Sequence, residues 1–234
     1  MKKIALFIAL NIVFGLAAFS QSKAYFTSGS EMIFSFAKID YEGDESGNIM
    51  RWAPVINLQG MLNKDISKNI GFFTGLAIRN VGYIYDNYKT VNDNGEPITV
   101  KKKFRTYNLG LPLGVKIGNL DKFFVYGGYE MEFPFHYKEK TFIDEKKDKF
   151  TAWFSNRVEQ FQQSFFVGVQ LPYGANLKFK YYISNFHNKD YYETSSASKP
   201  YENLNGNVFY VSLSFNIFRN GEFNDPSDSS KEYF

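Results

Sequence analysis

Glu130 and Glu132 are separated by one residue, Met131. If that stretch is a strand, both carboxylates leave the same face, a like-charged pair of the kind that general acid–base chemistry uses. Arg79, Lys116, Lys178 and Lys180 fall on the matching face of other alternating runs. A second outcome is therefore open to the same residues, in which the charges neutralise one another. Buried ions are costly unless paired, and arginine can hold a carboxylate through two parallel hydrogen bonds. Nothing around Glu130 and Glu132 marks a substrate, so the reading is no catalytic residue and an internal charge network. Its members are Arg79, Glu130, Glu132, Lys116, Lys178 and Lys180, with Arg79 expected to pair with Glu130 or Glu132. A gated pore or a small-ligand site is the competing use of the same charges.

Other chemistries find less support. The two histidines, His136 and His187, each stand where an alternating run passes into a polar stretch. Ser184, His187 and Glu193 supply the residue types of a hydrolytic triad, as in a lipid-modifying enzyme acting on lipid A or phospholipid. Spacing alone does not make one, and a solvated loop histidine is the simpler expectation. Asn92-Asp93-Asn94-Gly95 lacks the ligand alternation and closing glutamate of a calcium loop and reads as a turn. Two histidines, scattered acids and no cysteine give no metal site, no disulfide and no lipidated cysteine. No cofactor is implied.

The elements that must position these charges are strands. Eight runs repeat with period two, at about 30–40, 53–62, 70–83, 107–117, 123–135, 161–171, 176–186 and 207–218. The fourth is the clearest. Leu109, Leu111, Leu113, Val115 and Ile117 alternate with Asn108, Gly110, Pro112, Gly114 and Lys116. Most runs reach the roughly 9–11 residues that cross a bilayer at a tilt. Tight connections at 63–69, 118–122 and 172–175 alternate with long polar ones at 41–52, 84–103, 136–160 and 187–206. Short turns on one rim and long loops on the other are the pattern of a membrane barrel. Within 136–160, Phe150, Trp153, Phe154 and Val158, with Phe161 beyond, recur at helical spacing, so a short amphipathic helix competes with strand or aromatic belt there.

Composition agrees. The chain carries 26 Phe and 17 Tyr, 19% aromatic in all, while its mean hydropathy is only −0.33. A barrel averages lipid-facing with lumen-facing residues, so the mean stays modest. A soluble carrier of similar strand number would need an apolar interior, whereas the face opposite the large apolar residues here is rich in Gly, Ser, Asn, Gln and charge. Lys2 and Lys3 precede an apolar run at 4–19, and Ala18-Phe19-Ser20 offers a cleavage site. Residues 1–20 therefore read as a cleaved signal peptide. Losing its two lysines takes the formal charge from +3 to +1, too little to point to nucleic acid. Residues 21–218 form the barrel domain, and 219–234 read as a flexible periplasmic tail.

The sequence resembles the small single-domain bacterial outer-membrane barrels, of the PorT-like and OmpX-like kind. Leu109-Gly110-Leu111-Pro112-Leu113-Gly114-Val115-Lys116-Ile117-Gly118 is similar to the apolar-Pro-Leu strand of the PorT-like group. Val211-Ser212-Leu213-Ser214-Phe215-Asn216-Ile217-Phe218 resembles a final strand read by the barrel-assembly machinery, although the chain continues past it. The resemblance implies a closed up-and-down antiparallel transmembrane barrel of about eight strands, non-enzymatic, in the bacterial outer membrane. It implies contact with outer-membrane lipid and with the assembly machinery. For PorT-like relatives it implies an envelope or secretion partner, and for OmpX-like ones surface adhesion.

Overall fold

A strand with one apolar and one polar face still has unpaired backbone groups at its edges, which lipid does not tolerate. Closure removes the edges. The computed structural model describes residues 24–219 except 44, 46, 92–94, 144–145 and 195. The expected signal segment, the tail beyond Arg219 and the turn residues 92–94 lie outside the described residues.

The strands are β1 (Tyr25–Tyr41), β2 (Asn48–Ile49), β3 (Arg51–Ala53), β4 (Leu58–Asp65), β5 (Ile70–Val91) and β6 (Pro97–Asn119). They continue as β7 (Phe123–Ile143), β8 (Lys146–Trp153), β9 (Gln162–Gln170), β10 (Ala175–Tyr182) and β11 (Leu204–Arg219). Eight of them, β1, β4, β5, β6, β7, β9, β10 and β11, pair in an antiparallel ring that β11 closes on β1. The closing ladder runs from Thr27 opposite Arg219 to Tyr41 opposite Leu204. β2, β3 and β8 extend the wall beyond that ring by pairing with β5, β1 and β7.

The alternation sorts the faces as a bilayer requires. Leu111, Leu113, Phe165, Val167, Leu213 and Phe215 are 43–63% exposed on the outside. Their neighbours Asn108, Ser164, Ser212 and Ser214 are buried in the interior. An apolar exterior around a polar interior is a transmembrane barrel. Pro112 lacks the N–H that a central strand needs, and the β5–β6 ladder skips it, while Thr74 donates its hydroxyl to the Pro112 carbonyl at 2.9 Å.

Three sequence expectations need correction. The stretches expected as long loops at 84–103 and 136–160 are largely sheet: β5, β6 and β7 have 22, 23 and 21 residues, and β8 adds a hairpin. Only about 9–11 residues are needed inside the bilayer, so this wall stands far above it. Of the two readings of the aromatic stretch, helix gives way to strand, because Phe150 and Trp153 belong to β8 and Phe154 turns with φ of +47°. The second strand is not continuous. It breaks at residues 54–57, where Ile56 takes φ of +61°, and the wall is rebuilt from β3 and β4.

Bulges explain why simple parity fails above the bilayer. Between Tyr107 and Asn108 the β6–β7 register shifts, with Phe135 as the extra residue on β7. A one-residue slip exchanges the faces of everything beyond it. Glu130 and Glu132 point inward on even positions, and after the bulge Tyr137 and Glu139 point inward on odd ones.

Candidate functional site

All eight ring strands send polar side chains into the middle of the lumen. Arg79 on β5 is completely buried. It donates from Nε to Glu130 Oε1 at 3.1 Å and from Nη2 to Oε2 at 3.4 Å. Its Nη1 lies 2.9 Å from Glu31 Oε1 on β1 and donates to Gln59 Oε1 on β4 at 3.1 Å. Lys178 on β10 pairs with Glu31. Lys180 lies 2.7 Å from Glu130 Oε2 and also pairs with Glu132. Glu132 accepts from the Tyr182 hydroxyl and from Asn108 Nδ2, both at 2.7 Å. Three carboxylates thus face three cations, and every partner is held by a different strand from its own.

Gly110 makes room for this lattice. A Cβ there would stand 2.2 Å from Glu130 Oε1, so a side chain on β6 would push the carboxylate off Arg79.

Of the residues named from sequence, Arg79, Glu130, Glu132, Lys178 and Lys180 meet in one lattice. Lys116 does not join it. It sits at the turn end, 2.7 Å from Asp65 Oδ1 and donating to the Tyr25 hydroxyl at 2.8 Å and to Asn63 Oδ1 at 3.2 Å. Arg79 takes Glu130 and leaves Glu132 to Lys180. Glu31 was not singled out, because it opens an alternating run whose other inward positions are Ile33, Ser35 and Ala37. The sequence clue was its parity with them.

Below the lattice, toward the tight turns, a cavity of about 60 Å³ is lined by Arg79, Lys178, Lys116, Gln59, Asn63 and Tyr126, among others. A few waters fit such a volume.

Above the lattice the lumen is closed again, by an aromatic cap. The segment between β10 and β11 folds across the end and seats Phe186, His187 and Tyr201, beside Leu204 at the start of β11, against Tyr83, Tyr88 and Phe104. The His187 ring stacks on Tyr201 at 4.2 Å and meets Phe104 edge-on at 4.5 Å. Its Nε2 lies 3.0 Å from the Tyr83 hydroxyl and its Nδ1 3.4 Å from the Arg157 carbonyl. A neutral ring that accepts at Nε2 and donates from Nδ1 satisfies both. Glu139 anchors the cap from the β7 side. It accepts from Lys102 at 2.5 Å, Tyr137 at 2.8 Å and Tyr201 at 3.1 Å.

His187 is therefore not the solvated loop histidine expected from sequence, since it is 0% exposed. Nor do Ser184, His187 and Glu193 form a triad. Ser184 Oγ accepts from the Gln163 amide at 3.0 Å, and Glu193 pairs with Arg157. Among the described residues no group of three His, Asp or Glu side chains is placed to hold a metal ion.

Burial drives the His187 pKa down to about 3, with the Glu139 carboxylate opposing. The folded cap holds a neutral ring, whereas the unfolded segment titrates near 6.5. Cap stability is complete above about pH 6.5 and falls as the pH drops toward 3, by about 1.4 kcal/mol per unit within that window. Protection factors of the amides at 183–194 and 196–203, taken relative to intrinsic exchange at each pH, should fall between pH 6.5 and 5, and His187→Phe should flatten that dependence. Unchanged protection in the native protein would defeat it.

No protein-family model and no curated protein matches the sequence. Solved structures give loose overlaps. Ail, the attachment invasion locus protein of Yersinia pestis, has a TM-score of 0.38 at 10% identity, covering 84% of this chain and 99% of that one. Neisserial surface protein A has 0.36 at 8%, covering 82% and 98%. The outer membrane protein OprG from Pseudomonas aeruginosa has 0.34 at 10%, covering 83% and 95%. Likeness at this level carries no information about activity.

Proposed function

We propose that this chain is a non-enzymatic bacterial outer-membrane barrel with a closed lumen. It acts through its extracellular end on a partner in envelope assembly, protein secretion or surface adhesion. The observation that carries this reading is the double closure of the lumen, by the Arg79–Glu130–Lys180 lattice and by the cap around His187. A barrel of eight strands is just wide enough for its own side chains to fill, and here they do. With the interior occupied, the tall β5–β8 wall and the cap are the surfaces left for a partner. The resemblance to PorT-like and OmpX-like barrels supports the same reading, as does the alternating last strand offered to the assembly machinery.

Planar-bilayer recording of the purified barrel tests the closed lumen, with no sustained conductance expected. Cells lacking the gene test the surface. A chain shortened by removing β8 and its turn should still reach the outer membrane yet fail to restore the lost phenotype. Sustained conductance would make the protein a narrow pore. Release of fatty acid from lipid A or phospholipid by the pure protein would make it an enzyme.

A further inference from the structure

The outward side chains of β6, β7 and β8 change character abruptly with height. Register places them in rows. Ile78, Leu109 and Phe133 form an apolar row, and above it come Tyr107, His136 and Trp153. Trp153 lies edge-on to His136 at 4.8 Å and stacks with Phe135 at 6.1 Å, while Tyr107 stacks with Phe135 at 6.4 Å. Such aromatic groups mark the level where hydrocarbon meets headgroups.

Immediately above stand Arg105 opposite Lys138, then Lys103 opposite Lys140 opposite Lys149, then Lys101 and Lys147 on either side of Phe142. Two residues of strand advance about 6.6 Å, and a tilt near 40° makes that roughly 5 Å of depth. The rows therefore lie roughly 5, 10 and 15 Å above the aromatic level. Arg105 leans down over the Tyr107 ring at 4.7 Å.

Among the described residues no carboxylate occupies these rows. Among the described residues none of the seven cations makes an ion pair. Asp86, in the β5 bulge near Lys101, reaches none of them, and residues 144–145 lie outside the described residues. Like charges directly opposite on a sheet repel, so the fold holds an arrangement that calls for anions from outside. A second observation marks one corner of the patch. Arg51 is 2% exposed, donates to the Asn80 carbonyl at 3.1 Å and to Asn80 Oδ1, and has no carboxylate partner among the described residues. The Nε atoms of Arg51 and Arg105 are both buried donors without an acceptor.

We propose that this basic face binds the phosphate groups of a phosphorylated glycolipid in the surrounding outer leaflet. Continuity with the aromatic row favours lipid over a soluble polyanion, because the first cations stand at headgroup depth. Arginine and lysine together suit phosphate. The inference rests on the outer-membrane reading of the barrel.

The test compares the barrel refolded into phosphatidylcholine vesicles with and without diphosphoryl lipid A. Insertion into phosphatidylcholine alone, scored by the heat-modified gel shift, checks the barrel reading separately. Lipid A should raise the thermal midpoint of the native protein and be retained through detergent extraction. The triple variant K103Q/K140Q/K149Q should insert equally well but retain roughly tenfold less lipid A. The triple lysine-to-arginine variant should retain it as the native protein does. Equal retention by the glutamine variant, or no lipid A effect on the native protein, overturns the proposal. Binding of a heparin fragment without any lipid A effect would overturn it too, and would assign the face to a soluble polyanion.

Discussion

Replacing Arg79 by methionine should lower the unfolding free energy of the barrel by about 3–5 kcal/mol, whereas Arg79→Met combined with Glu130→Gln should cost distinctly less. The lattice is balanced, with Glu31, Glu130 and Glu132 against Arg79, Lys178 and Lys180. Arg79 is the member that spans it, reaching Glu31 at 2.9 Å on one side and Glu130 at 3.1 Å on the other. Without the guanidinium, one negative charge is left over among side chains that are at most 5% exposed. Most of the loss comes from that uncompensated carboxylate rather than from the missing attraction, so neutralising Glu130 should return part of the stability. Arg79→Lys should also be poor, because a single ammonium cannot reproduce the paired hydrogen bonds to Glu130. Urea unfolding in vesicles reads all three variants. If the single and double variants unfold at the same urea concentration, the lattice is not held by charge balance.

Introducing arginine on the outer wall should show the bilayer directly. Leu113 is 63% exposed at the centre of the outward series Leu109, Leu111, Leu113, Val115 and Ile117. Leu113→Arg there should cost about 2–4 kcal/mol, as expected for a charge facing lipid near the midplane. Ser214 is the contrast. It is 4% exposed, faces the lumen and stands directly opposite Glu31 in the β1–β11 ladder. An arginine at 214 has a carboxylate within reach and polar neighbours, so Ser214→Arg should cost less despite the tighter space. Equal losses for the two substitutions, or a silent Leu113→Arg, would remove the basis for calling the apolar band lipid-facing.

Within the bilayer the sequence carried nearly the whole architecture. Leu109 to Ile117 alternates without a break, and one side of such a strand must meet lipid while the other meets the lumen, so parity alone assigned both faces. The turns at 63–69, 118–122 and 172–175 followed from the same pattern ending. Inward parity also gathered Arg79, Glu130, Glu132, Lys178 and Lys180, though not who pairs with whom. That depended on strand stagger, which brings Lys178 against Glu31 across 147 positions of sequence.

Above the bilayer, parity loses its meaning. Lys101, Lys102 and Lys103 are all polar, yet Lys102 enters the cap to meet Glu139 while its neighbours face outward. Without lipid, an outward position has no reason to be apolar, so β6 and β7 looked like loops. The bulge at Phe135 then exchanges inside for outside, and the break at Ile56 divides the second strand into β3 and β4. Burial of His187 was decided there as well. Asn188, Lys189 and Asp190 follow it in sequence, and only the folding of residues 183–194 and 196–203 across the barrel end places Tyr83, Phe104 and Tyr201 around it. The sequence determined what each strand offers to lipid and to lumen, because a two-residue period is local. The tertiary structure alone decided which charges meet and how the end is closed, because those depend on register between strands far apart in the chain.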